Sequence, residues 1–259
     1  MGFFANLKGQ KAYALHGKDD YQGAKKLYEE AMEAGMNDPR LMLAYSVLLL
    51  RIEEYQKARE VLLKVQKLPG LNNEFKNQMF MNYSVCSHML GDTAKAITLL
   101  EKRCGKNPNG VLYQTLGYLY VDYYDASKPY TPIADDSDDD KFFSEKQQLT
   151  HEEAVAKVLA FNQEAVAYDD EDPICLDNLA QTYYRVLGDK AAAREWFNKA
   201  HELKPGQIDT LWFLSRYDLE DGNTAAAIEK LETASEGRFS PLNFARPEMI
   251  KAELDRLQG

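Results

Sequence analysis

The sequence predicts an all-α chain of about six helix-turn-helix units in tandem, closed by one further helix at the C-terminus. Three observations carry this. Apolar residues recur at helical spacing, with no alternating segment of the kind a half-buried strand requires. A small residue in one helical stretch is followed twelve positions later by an alanine in the next, and the pair recurs about every 34 residues. Turn-forming and helix-stopping residues fall between the stretches.

The pairs are Ala12 with Ala24, Ser46 with Ala58, Ser84 with Ala96 and Ser215 with Ala227, while Ala180 and Ala193 stand thirteen apart. Second members are spaced by 34 (Ala24 to Ala58), 38 (Ala58 to Ala96) and 34 (Ala193 to Ala227) residues, the 38 holding a four-residue loop near Leu71 to Glu74. The remaining unit has Gly117 in its first helix and Val158 as the best match in its second. Antiparallel helices approach closely only where a side chain is small, which is why Ala, Ser or Gly recurs at the crossing. Four residues after the alanine comes a bulky side chain, Tyr28, Leu62, Leu100, Phe197 or Leu231, on the same face one turn on. Three further on, Ala31, Val65, Ala200 and Ala234 allow the next unit to come close. Asp19-Asp20, Gly91-Asp92, Gly188-Asp189 and Gly222-Asn223 supply the turns, and the extra residue of the fifth unit is expected in its turn. Pro39, Pro69, Pro108, Pro173 and Pro205 separate units. Arg238 to Pro241 form a connector, and Pro247 opens a last helix through Met249, Ile250, Leu254 and Leu257, read as a cap over an otherwise bare apolar end.

An insertion at about 122–149 interrupts the fourth unit. It holds Pro129, Pro132 and the run Asp135-Asp136-Ser137-Asp138-Asp139-Asp140, and from Val121 to Thr150 eight acids face three lysines, half of the chain's formal charge of −10. Such a segment cannot bury enough apolar surface to form a core and is expected as a surface loop with a mobile acidic tip. Tyr123, Tyr124, Tyr130, Phe142 and Phe143 are expected to pin its ends. A calcium loop fails, because counting from Asp136 the sixth position is Lys141 in place of Gly and the twelfth is Gln147 in place of Glu.

Enzyme signatures fail in the same way. His151-Glu152-Glu153-Ala154-Val155 lacks the second histidine of a zinc-protease helix and reads as a helix start with Thr150 and Glu153 as a capping box. Gly105 to Gly110 is followed by Val111-Leu112, which cannot serve a phosphate loop. Cys86 and His88 point away from each other on one helix, and the four histidines lie in different units. No catalytic residue, metal site or cofactor is therefore assigned. Net acidity without a basic run excludes a nucleic-acid footprint, and the longest apolar run, Leu41 to Leu50, is broken by Tyr45 and Ser46 and is too short to span a membrane. Three cysteines without a C-x-x-C pair, and an N-terminus Met1 to Asn6 without secretory character, set a cytoplasmic address as the expectation.

From Leu179-Ala180 through Tyr183, Gly188-Asp189, Ala193, Phe197, Ala200 and Pro205 the chain resembles the tetratricopeptide repeat family. The resemblance extends over roughly Phe4 to Ser235 outside the insertion, and residues 236–259 form the connector and cap. It implies a right-handed α-solenoid. Three departures, Arg103 at a usual alanine position and Asn162 and Asp218 at usual aromatic ones, imply looser or different packing in their units. In the family, first helices line a concave groove that holds a peptide or partner segment. Carried over, the groove positions are Tyr13, Leu43, Val47, Met81, Asn82, Val85, His88 and Met89, then Tyr118, Asp122, Asn178, Gln181, Tyr184 and Arg185, then Trp212, Phe213 and Arg216. Val47, Met81, Val85 and Met89 could pack an apolar segment, and Asn178 and Gln181 could bond its backbone. The family's carboxylate clamp for chaperone tails is not matched, since Gly9, Tyr13, Ala44, Gln78 and Asn82 supply no cation. The implied function is a non-enzymatic scaffold or adaptor with a protein or peptide partner. A regulator or assembly chaperone whose acidic loop gates the groove is the alternative, and the partner and oligomeric state are left open.

Overall fold

The computed structural model describes residues 2–133 and 148–259, so the acidic run Asp135 to Asp140, the rejected calcium loop, and Phe142 and Phe143 lie outside the described residues. The chain divides into two compact units, residues 1–108 and 109–259, each taken by itself. The first holds three hairpins: α1 (Gly2–His16) with α2 (Tyr21–Glu33), α3 (Pro39–Arg51) with α4 (Tyr55–Gln66), and α5 (Asn73–Met89) with α6 (Thr93–Lys106). The second holds α7 (Gly110–Tyr123) with α8 (His151–Tyr168), then α9 (Pro173–Gln181), continued by a π turn (Thr182–Val186), with α10 (Lys190–Leu203). It ends with α11 (Ile208–Glu220) paired to α12 (Thr224–Ser235) and with the cap α13 (Pro247–Gln258). Among the described residues there is no strand.

Every small-residue marker is buried, from Ala12 and Ala24 to Ser215 and Ala227, because these are the points where paired helices touch. The bulky residues one turn on, Tyr28, Leu62, Leu100, Phe197 and Leu231, are buried as well, and Tyr28 stacks on Tyr45 of α3 at 4.9 Å. Within each compact unit every hairpin leaves an apolar stripe that the next one covers, which is why stacking and not helix propensity holds the hairpins together. Asp20, Asp38, Asn72, Asn109, Thr150, Asp172, Asp189 and Asn223 cap their helices through side-chain oxygens, and Thr150 with Glu153 forms the expected capping box.

Hairpin turns need one residue at positive φ. Gly91, Gly188 and Gly222 supply it, Asp19 supplies it in the first unit at 59°, and Glu53 does so in the second at 62°, where the sequence carries no turn residue. The extra residue of the fifth hairpin is not in its turn. It is absorbed as the π turn at Thr182–Val186, so that the turn-closing bond runs from the Asp189 N–H to the Tyr183 carbonyl at 2.8 Å, one residue longer than the Asn223 to Asp218 bond of the next hairpin. A Gly-Asp turn of fixed shape leaves the inserted residue only the helix to enter.

The three departures give different packing. Arg103 bonds the Asn77 side chain at 2.5 Å and faces the Phe80 ring. Asn162 is fully buried, its amide donating to the Val158 carbonyl and to Thr182 Oγ1. Asp218 pairs with Lys230 at 2.6 Å. At the ends of the insertion Tyr124 stacks on Tyr130, which meets His151 edge-on.

Candidate partner-binding site

In the first unit, α1, α3 and α5 carry the expected positions. Tyr13 is half exposed, with Arg40 facing its ring, and Val47, Met81, His88 and Met89 are partly exposed. Leu43, Asn82 and Val85 are buried. Asn82 donates to Ser46 Oγ at 3.0 Å, so its side chain ties α5 to α3. His88 Nδ1 lies 2.9 Å from Thr93 Oγ1 across the hairpin.

In the second unit the corresponding positions form a buried polar network. Arg185, buried within the π turn, sends Nε to Asp125 at 2.8 Å, one terminal nitrogen to Asp122 at 3.0 Å and the other to Gln181 at 2.8 Å. Gln181 donates to Asp177, whose other oxygen receives Thr210 Oγ1. Asn178 donates to the Gln114 carbonyl of α7 at 2.8 Å, and Tyr118 is buried beside them. Of the side chains expected to bond a partner's backbone, Asn178 thus bonds the neighbouring α7 and Gln181 bonds Asp177 and Arg185 one turn away on its own helix, because a buried amide left unpaired would cost about 1–3 kcal/mol. Tyr184 packs on Phe213 at 4.9 Å. Arg216 lies over the Trp212 ring at 4.2 Å and pairs with Glu253 of the cap at 2.7 Å.

The connector lies on the same helices. Asp209 accepts the backbone N–H groups of Phe244 at 2.9 Å and Ala245 at 3.0 Å, one on each carboxylate oxygen. The Phe244 ring stacks on Phe213 at 5.1 Å and sits 4.2 Å from the Arg185 guanidinium. Asp125, Asp177, Asp209, Thr210 and Phe244 were not among the expected positions. Acids placed inside otherwise apolar first helices, as at Asp177 and Asp209, are the signal that could have found them.

The electrostatics follow burial. Asp177 and Asp209 are almost wholly buried, which pushes both carboxyls above the usual range, and the Asp209 charge adds to the effect on Asp177. At Asp125 burial is outweighed by the bonds from Ser127 and by Arg185, which hold the carboxyl below its usual value. Burial pushes the Cys86 thiol up to about 12. Among the described residues no cluster of three or more His, Cys, Asp or Glu is arranged to hold a metal.

Family models described as tetratricopeptide repeat match residues 15–69 and 175–207. By fold, the chain is similar to a thermophilic TPR protein from Thermus thermophilus, with TM-score 0.61 and 14% identity over 85% of this chain and 99% of that one. It is also similar to PilW, a widely conserved type IV pilus biogenesis factor, with TM-score 0.62 and 16% identity over 98% of this chain and 100% of the other. MamA from Desulfovibrio magneticus, from residue 41 to its end, gives TM-score 0.54 and 21% identity over 80% of this chain and 98% of the other. At these identities the likeness is of fold alone. A search of the curated proteins by sequence finds no match. Residues 15–69 and 175–207 are thus tetratricopeptide repeats by sequence, and the other hairpins share their helix-turn-helix form.

Proposed function

We propose that the chain is a non-enzymatic protein-interaction scaffold whose first helices hold a peptide or segment of a partner protein. The observation that supports this most is the seat of the chain's own connector, where one carboxylate on α11 takes two successive backbone N–H groups and one aromatic ring enters between Arg185 and Phe213. Main-chain bonding with a side-chain anchor is how peptide-binding surfaces gain affinity and selectivity together.

In the first unit the exposed and partly exposed members Tyr13, Val47, Met81 and Met89 form the capture face, with His88 at its edge. Two thioethers among them adapt to partners of varied shape. In the second unit Asn178 acts by holding α9 to α7, Gln181 by holding Asp177 and Arg185 in place, Tyr118 is buried, and Tyr184, Trp212 and Arg216 border the seat of the connector. A formal charge of −10 favours a protein partner over nucleic acid. No helix of the described residues is long and apolar enough to cross a membrane. The buried free thiols Cys86, Cys104 and Cys175 support a reducing, cytoplasmic setting.

Affinity purification with Val47→Glu, Met81→Glu and Met89→Glu tests this reading. Each variant should keep its helical circular dichroism and lose the partner, because a carboxylate on an apolar contact face is desolvated on binding. Retention of the same partner by all three would refute the first-unit capture face.

A further inference from the structure

The seat of the connector goes beyond the capture face proposed for the first unit, since it lies wholly within residues 109–259. We infer that it is a second recognition site, for a bent partner segment in which an aromatic residue precedes a small one, and that Asn243 to Arg246 occupy it as an internal stand-in.

Two features separate the site from its occupant. The site is built without the connector. Arg185 is held by Asp122, Asp125 and Gln181, Gln181 by Asp177, and Asp177 by Thr210, all on helices or on the loop after α7. Phe213 is fixed in the stack with Phe197 at 4.9 Å. Removing the connector leaves the cation, the aromatic floor and Asp209 in place, so a replacement meets a prepared surface. The connector, in turn, closes largely on itself. Arg246 bonds the Ser240 and Pro241 carbonyls, and the Asn243 side chain accepts the Ser240 N–H. Residues 236–246 contain no helix or strand. Their hold on the first helices includes the pair of N–H bonds to Asp209, the Asn243 side chain at the same carboxylate, the Phe244 ring, the buried Ala245 methyl and Phe239 packed on the cluster of Ile208 and Leu211. The N–H pair, the ring and the methyl are features that another segment can supply. Successive N–H groups converge on one carboxylate only where the chain bends, as it does at Phe244 and Ala245, so a bent segment with an aromatic followed by Ala, Ser or Gly offers the same contacts. Docking also takes the Asp209 carboxylate out of water, a cost recovered when the segment leaves.

The test uses the full chain and a labelled, end-blocked peptide of residues 240–247, read by fluorescence anisotropy. Phe244→Ala weakens the internal occupant and keeps the site. It should bind the peptide at least tenfold more tightly than the wild-type chain does, and the same peptide with its Phe replaced by Ala should not bind. Adding Asp209→Asn to Phe244→Ala should lower affinity at least tenfold. Equal affinity of the wild-type and Phe244→Ala chains for the peptide would overturn the inference. Should Phe244→Ala fold poorly, hydrogen exchange on the wild-type chain decides. Exchange of the Phe244 and Ala245 amides at least tenfold faster than those in the middle of α11 supports a detachable segment, and exchange only with global unfolding overturns it. Failure here leaves the charge variants of the first unit as an independent result.

Discussion

Gly117 of α7 faces Asn162 of α8 so closely that a methyl group on Gly117 would lie 2.4 Å from the Asn162 side-chain oxygen and 3.0 Å from the Asn178 amide nitrogen. The contact explains two irregular positions at once. Where the family resemblance leads one to expect an aromatic ring, Asn162 sits fully buried, and opposite it the smallest residue makes room for a hydrogen-bonded amide.

Gly117→Ala should therefore destabilise the chain by about 1–3 kcal/mol in urea unfolding, since the neighbours are held by their own bonds and cannot recede. In an Asn162→Ala background the same change should cost measurably less. Equal cost in both backgrounds would remove this contact as the cause.

Glu53→Gly should stabilise the chain. Glu53 is exposed and holds φ at 62°, a conformation that disfavours a side chain by about 1–2 kcal/mol and that glycine adopts freely. After the greater flexibility of glycine in the unfolded chain is set against this, a gain of about 0.5–1 kcal/mol is expected. An unchanged or lower denaturation midpoint contradicts it.

Asp177 gives stability an unusual pH dependence. Its carboxyl is raised in the folded chain by burial and by Asp209, so the native state keeps a proton that the unfolded state releases near pH 4. Stability falls as pH rises from there until the native carboxyl has ionised, at up to about 1.4 kcal/mol per pH unit. Asp177→Asn cannot release this proton, so urea unfolding from pH 5 to 8 should show the wild-type chain losing stability relative to the variant. Parallel curves would exclude the effect.

Glu253 behaves in the opposite sense. Bonds from Arg256, and then from Arg216 against the opposing effect of burial, hold its carboxyl down to about 2. The contribution is present above the ordinary carboxylate range and is lost as pH falls toward about 2. Glu253→Gln should cost about 1–2 kcal/mol at neutral pH, because a charged bond across a mostly shielded contact becomes a neutral one. It should also speed proteolytic cleavage within 236–246, while Ile250, the buried residue of α13, keeps the helix attached. Unchanged cleavage would show that packing alone holds the cap.

How much of this was legible depends on how local the cause is. Ala24, Ala58 and Ala96 mark helix crossings because closeness of approach demands a small residue whatever surrounds it. Thr150 with Glu153, and Pro247 at the start of α13, are read from neighbours in sequence. The π turn shows in sequence only as a thirteen-residue spacing between Ala180 and Ala193, with nothing local to say where the extra residue goes. Asn178 and Gln181 were expected to face a partner; the bond of Asn178 to Gln114 depends on how neighbouring first helices register, whereas that of Gln181 to Asp177 lies within α9. The grip of Asp209 on Phe244 and Ala245 joins residues 35 and 36 apart through a connector without regular structure, so no repeat pattern reports it.

The central claim is that first helices hold the partner, and photo-cross-linking from single positions tests it most directly. A photoreactive side chain at Met81 or Val47, on first helices, should cross-link the co-purified partner, and the same group at Gln56 or Glu60, exposed on α4, should not. Partner cross-links from α4 with none from Met81 or Val47 would contradict the account.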